Sequence, residues 1–221
     1  MITNKLSTIT LIRALEASED WNEQESILAD LRSRNDLFNL DTILRIALDG
    51  TKPLRVRRAA VACAATHNPA KTLDFLRNWA EDVFTSSGER KLAIQGLAAL
   101  QLPSQTLPIL ENLAANRGAR EARFEAITLL GIMRNVRSAS LLIELTRDRD
   151  RVIAEGAQNA LDRLIEANGG RYQVVSLLKN RADQLTARGQ RSQAKEALRV
   201  ASRLDPSDGS VLSRLARLSA A

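Results

Sequence analysis

Only one cysteine and one histidine stand in the 221 residues. That scarcity excludes disulfide frameworks, Cys-based zinc sites, clustered-His metal sites and His-dependent catalytic triads. Aromatic residues make up 3% of the chain, whereas hydrophobic residues reach 44%, a share carried by Ala and Leu. These are strong helix formers, and the β-branched and aromatic side chains that fill sandwiches and barrels are too few for a β-rich fold. No apolar run approaches the roughly 20 residues needed to span a bilayer. The opening stretch MITNKLSTITLIRALEASED lacks the basic region, apolar core and cleavage site of a signal peptide. Phosphate-cradling glycine motifs are missing as well. The expectation is a cytoplasmic chain without membrane insertion, cofactor, metal or catalytic residues, and thus not an enzyme.

What the chain does have is positive charge, unevenly placed. The formal net charge is +6. Residues 1–50 hold 5 Lys+Arg against 9 Asp+Glu, or −4, so residues 51–221 carry the remaining 27 against 17, or +10. Such asymmetry permits an acidic partner, nucleic acid or an anionic surface. Arg outnumbers Lys 26 to 6, a bias that suits planar recognition of carboxylate or phosphate but also follows from genomic base composition alone.

Internal repetition is the strongest signal. The segments 54–65, 88–100, 120–132 and 150–164 align so that a small residue recurs at Ala60, Ala93, Ala126 and Gly156, at intervals of 33, 33 and 30. An apolar residue follows each, and Ala64, Leu97, Leu130 or Ala160 lies four positions on. The pattern predicts helices with a narrow apolar face that neighbours approach closely. Between them lies a second helical set at 41–48, 69–82, 103–116 and 137–148, marked by Thr42, Thr72, Thr106 and Ser140. Pro69 and Pro103 suit first-turn positions. Pro108 should kink its helix or shift its start. Short links such as DGTKP and NRGAR make each unit a helix hairpin.

The pattern Val56, Arg57, Ala60, Val61, and more loosely Ala122, Arg123, Ala126, Ile127, resembles HEAT repeats. The resemblance covers about residues 37–168, as four units; Glu89 stands at the usual Val position of the second, and the fourth has Gly156 for Ala and lacks the Arg. It implies an all-α solenoid, a right-handed superhelix of stacked antiparallel hairpins. Residues 1–36 read as an acidic capping hairpin. Residues 171–221 carry another pattern: Ala182, Gly189, Ala194, Leu198, Ala201, Leu204, Asp205 and Pro206 resemble a tetratricopeptide repeat, with Val211, Leu212, Leu215 and Ala216 spaced for one further, capping helix. Gly169 and Gly170 mark the boundary.

Individual chemical candidates are few. His67 reads as a polar loop residue and Cys63 as a small core residue. Trp79 with Glu81 and Asp82 resembles, at the level of fold only, the aromatic and acidic pair of alkylpurine DNA glycosylases built on HEAT-like repeats. The basic residues Arg55, Arg57, Arg58, Arg90, Lys91, Arg120, Arg123, Arg149 and Arg151 recur near the start of the second helix of successive units. In a solenoid, equivalent positions line one edge. This ladder either joins repeats through intervening carboxylates or forms a track for an acidic peptide or phosphate. The expectation is a scaffold or adaptor holding another protein, an acidic one if the ladder binds it, with nucleic acid the alternative and a HEAT-type lyase or glycosylase third.

Overall fold

The computed structural model describes residues 6–34, 40–82, 84–100, 102–116 and 119–220. Among the described residues there are thirteen α-helices and no strand. An amino-terminal hairpin, α1 (Thr8–Ala17) and α2 (Trp21–Ser33), comes first. Four pairs follow at the repeated segments: α3 (Asp41–Leu48) with α4 (Leu54–His67), α5 (Pro69–Glu81) with α6 (Ser87–Ala99), α7 (Pro103–Ala115) with α8 (Arg120–Met133), and α9 (Ala139–Leu145) with α10 (Arg151–Ala167). The chain continues through α11 (Arg171–Ala187), α12 (Arg191–Leu204) and α13 (Gly209–Ala220). It is an all-α helical-repeat protein. The predicted start of the repeats at residue 37, Val83 of the link VFTSSG, and Arg117 and Gly118 of NRGAR lie outside the described residues.

Helix ends follow local chemistry. Ser86 and Glu89 form a reciprocal capping box at the start of α6, which satisfies amide donors that have no helical partner. Asn68 caps α5, whose first residue is Pro69, and accepts from the Lys71 amide at 3.0 Å. Asp150 caps α10 in the same way. Gly170 and Gly189 have φ of +95° and +74°, turns into α11 and α12 that a side chain would strain. The helix α7 runs on through Pro108. Pro108 and Ser104, whose carbonyl loses its helical donor there, are both exposed, so water can replace the missing bond.

Two compact units divide the chain, residues 1–106 and 107–221, with the division inside α7. In the first unit, α4 packs against both α2 and α6, while α3 lies on α4 and α5 on α6. Its core includes Leu28, Leu31, Ile43, Val56, Ala60, Leu76, Ala93 and Ile94. In the second unit, α10 packs on α8 and α9, and α12 on α11 and α13. Ala126, at the recurring small position, is fully buried. The tightest approach is at Gly131, where a Cβ would stand 2.7 Å from the Ala160 Cα of α10. Small residues thus set the distance between second helices, as stacked pairs require.

Candidate functional site

The basic residues singled out in the sequence separate into two groups by burial. Arg57, Arg90 and Arg123, spaced 33 apart, are each the fourth residue of their helices, α4, α6 and α8. In that place a side chain reaches back over the preceding link. Arg57 is 8% exposed; its Nε donates to the Ala47 carbonyl at 2.8 Å, near the end of α3, and its Nη2 meets Glu89 Oε1 at 3.0 Å. Its guanidinium also lies 5.6 Å from the Trp79 ring centre. The Ser86 hydroxyl first, and Arg57 second, hold the Glu89 carboxyl below the usual carboxylate range.

Arg123 repeats the arrangement in the second unit. It is 6% exposed, its Nε donates to the Ala114 carbonyl at 3.1 Å, and its Nη2 is bound to Asp148. Both arginines therefore tie the end of one helix to a carboxylate of the following repeat. Arg90 is bound to backbone alone, through the carbonyls of Asp82 at 2.7 Å and Thr85 at 3.2 Å.

The remaining members lie at the surface. Arg58 donates to Gln95, Arg55 faces Glu25 at 3.6 Å, and Lys91 is exposed. In the second unit Arg120 pairs with Asp150 at 2.7 Å and Arg151 with Glu155 at 2.6 Å, both arginines largely exposed. Arg149 has no side-chain hydrogen bond or ion pair among the described residues.

A cleft of about 550 Å³ in the second unit brings Arg120, Arg123 and Arg149 together with Arg147, above Leu141 and Leu145 of α9. Arg147, like Arg149, is exposed and makes no side-chain bond among the described residues. Sequence reading missed Arg147 because it lies in the link after α9, outside the helix-start register that singled out the others. Repeat alignment carries no signal for it. The carboxylates Glu144, Asp148 and Asp150 line the same cleft, the last two engaged by Arg123 and Arg120.

The other sequence candidates resolve into packing. Cys63 is fully buried, and burial pushes its thiol up to about 12, which leaves no thiolate at neutral pH. His67 differs from the loop reading: it is the last residue of α4, and its Nε2 donates to the Leu31 carbonyl at 2.7 Å, joining α4 to α2. Trp79 is buried against Phe75 and Arg57, whereas Glu81 and Asp82 are exposed. The three do not form one site. No helix among the described residues is long and apolar enough to cross a membrane.

No protein-family model and no curated protein matches the chain. Among solved structures, it aligns with the complex of CpcE and CpcF of phycocyanin lyase from Nostoc sp. PCC7120, at 17% identity over 97% of this chain and 94% of that one, with a TM-score of 0.43. One expectation is corrected by this finding. The scarcity of His and Cys led to a reading of the chain as no enzyme, yet the aligned protein belongs to a lyase complex. Helical-repeat architecture does not exclude catalysis, and the non-enzymatic reading is withdrawn.

Proposed function

We propose that this chain binds another protein, and that the arginine-rimmed cleft of the second unit receives acidic side chains of that partner. The observation that carries the reading is the contrast inside one cleft. Arg123 is committed to Ala114 and Asp148, while Arg147 and Arg149 are exposed in the same cleft with no side-chain bond among the described residues. Leu141 of α9, half-exposed in the same cleft, adds an apolar anchor, and apolar anchors with a charged rim are what protein interfaces use. Nucleic acid fits less well, because three carboxylates interrupt the positive lining and no aromatic residue lines the cleft for base stacking. The same proposal takes residues 37–168 as HEAT-type repeats and α11 with α12 as tetratricopeptide-type. The buried Ala182, Ala194 and Ala201 and the turn at Gly189 support the latter.

The test is fluorescence anisotropy with a labelled peptide alternating Glu and Leu, against a single-stranded oligonucleotide of equal charge. The peptide should bind the parent and lose about tenfold in affinity with Arg147→Gln/Arg149→Gln, the loss shrinking as salt rises. Stability of that variant should stay within about 0.5 kcal/mol of the parent, as for exposed charges. Equal peptide binding by parent and variant, or tighter binding of the oligonucleotide at physiological salt, would refute the reading.

A further inference from the structure

A second cleft of about 550 Å³, also within the second unit, adjoins the first at Leu141 and Glu144 of α9. Its walls are apolar on the side of the last hairpin, where Leu178 of α11 and Ala197 and Val200 of α12 are buried. Arg181 of α11 lines this cleft half-buried, without a hydrogen bond or ion pair among the described residues. Its charged neighbours give it no acceptor. Burial first, and then the like charge of Arg137, push the Arg181 guanidinium below its usual range, offset only in part by Glu111. Glu111 is itself engaged: Oε1 accepts from the Ser138 hydroxyl at 3.0 Å and Oε2 lies 3.6 Å from Arg137 Nε.

A guanidinium withdrawn from water without an acceptor is costly, and a second guanidinium beside it adds repulsion. An anion with two coplanar oxygens relieves both, since it matches the fork geometry of arginine. The rest of the lining limits how much negative charge such a ligand can bring. Glu196, which accepts from the Ser140 hydroxyl at 2.6 Å, and the exposed Glu144 also face the cleft. Glu196 is offset by Arg199 at 3.7 Å and Glu111 by Arg137 at 3.6 Å, so Arg181 facing the exposed Glu144 disfavours a phosphate dianion or a polyanion and favours a ligand with a single negative charge. The volume falls within the range of small-molecule sites, which are mostly apolar with a few convergent polar groups.

We propose that this cleft binds a small amphiphilic carboxylate, its two oxygens held by Arg181 and Arg137 and its apolar body laid against Leu178, Ala197 and Val200. The site adjoins the protein-binding cleft, sharing Leu141 and Glu144 with it, but its arginines and its apolar wall are different ones, and it does not depend on that reading. Arg181 is then a charge kept at the expense of stability for the sake of a ligand. Two properties that usually move together should therefore part: replacing Arg181 with an apolar residue should remove binding and leave the fold as stable as before or more so.

Octanoate is the probe, titrated into the full chain by calorimetry and by amide chemical shifts, with octanol and inorganic phosphate as controls. Octanoate should bind saturably and shift the amides of Leu178, Ala197 and Val200, while octanol and phosphate bind at least about tenfold more weakly. Arg181→Leu should weaken octanoate about tenfold or more with an unchanged or raised thermal midpoint. Arg137→Gln, at a more exposed position, should weaken it by a smaller factor and serves if the first variant does not fold. Equal octanoate affinity in parent and variants, shifts confined to other surfaces, or tighter binding of phosphate would each overturn the proposal. So would occupation of this cleft by the Glu/Leu peptide but not by octanoate, which would assign the carboxylate to a protein side chain.

Discussion

Arg57 in the first unit and Arg123 in the second are held by the same two atoms in the same two ways. Each Nε takes a carbonyl near the end of the preceding helix, and each Nη2 takes a carboxylate from the repeat that follows. The carboxylates differ in origin: Glu89 is the third residue of α6 and half of its capping box, whereas Asp148 lies in the link between α9 and α10. The carbonyl contact is fixed by the place of the arginine in the helix, while the carboxylate comes from whichever neighbouring segment can supply one. The units then diverge at the surface. In the first, Arg58 and Arg90 reach Gln95 and the backbone of the preceding link. In the second, Arg147, Arg149 and Arg181 have no such partner among the described residues, and all three line clefts beside α9. The fourth residue of the second helix joins the hairpins in both units, whereas Arg147, Arg149 and Arg181 carry charges that the described residues leave unmatched.

The comparison breaks most visibly at the buried arginines. Arg123→Gln removes the guanidinium bound to Asp148, a carboxylate 16% exposed at its side chain, and should destabilise the second unit by about 3 kcal/mol in urea unfolding. Arg57→Gln should cost less, about 2 kcal/mol, because Glu89 is 29% exposed and keeps its bonds to Ser86. An equal loss in the two variants would mean that solvent access to the carboxylate does not set the cost.

Glycine substitutions sharpen the same contrast between units. A Cβ at Gly131 would meet the backbone of Ala160, whereas one at Gly96 would meet the side-chain methyls of Val61 at 2.8 Å and Leu76 at 2.9 Å. Methyl groups can rotate away and a backbone cannot. Gly131→Ala should therefore cost about 2 to 3 kcal/mol and Gly96→Ala about 1 kcal/mol, by thermal unfolding. The reverse order would contradict the packing described for α8 and α10.

Acid should produce the smallest of these effects. The Glu89 pKa is lowered in the folded chain from its ordinary value of 4.5, so the folded state favours its ionised form. Its contribution is fully present above that ordinary value and is lost as pH falls through and below it. The thermal midpoint should drop between about pH 5 and pH 3, and Glu89→Gln should flatten that drop. A variant with the same acid dependence as the parent would assign the titration elsewhere; Asp208, also lowered by Ser210 and Lys179, is the matching group in the second unit.

Much of this architecture was legible because repetition is a sequence property. The small-residue register at Ala60, Ala93, Ala126 and Gly156 located α4, α6, α8 and α10, and the intervening markers located α3, α5, α7 and α9. Helix starts at Pro69 and the stop at Gly169 and Gly170 followed from backbone chemistry alone. The close contacts of Gly96 and Gly131 were not foreseen, since what a missing Cβ would touch depends on a helix far away in sequence. The clefts escaped for the same reason. Arg147, Arg137 and Arg181 come from a link, a 3-10 turn and the helix α11, and no periodicity groups them. Nor could spacing tell that Arg123 is buried while Arg120, one turn earlier, is exposed; that difference arises from the end of α7 and from Asp148 closing over one and not the other.

Two ion pairs on the same side of α8 offer the most direct test that burial separates joining arginines from surface arginines. Arg123 with Asp148 is nearly closed to solvent, and Arg120 with Asp150 is open, with Arg120 57% exposed at its side chain. Double-mutant cycles with Arg→Gln and Asp→Asn, read by urea unfolding, isolate each coupling energy. The prediction is about 2 kcal/mol for Arg123 with Asp148 and no more than about 0.5 kcal/mol for Arg120 with Asp150. Equal couplings, or a larger one for the exposed pair, would contradict the account.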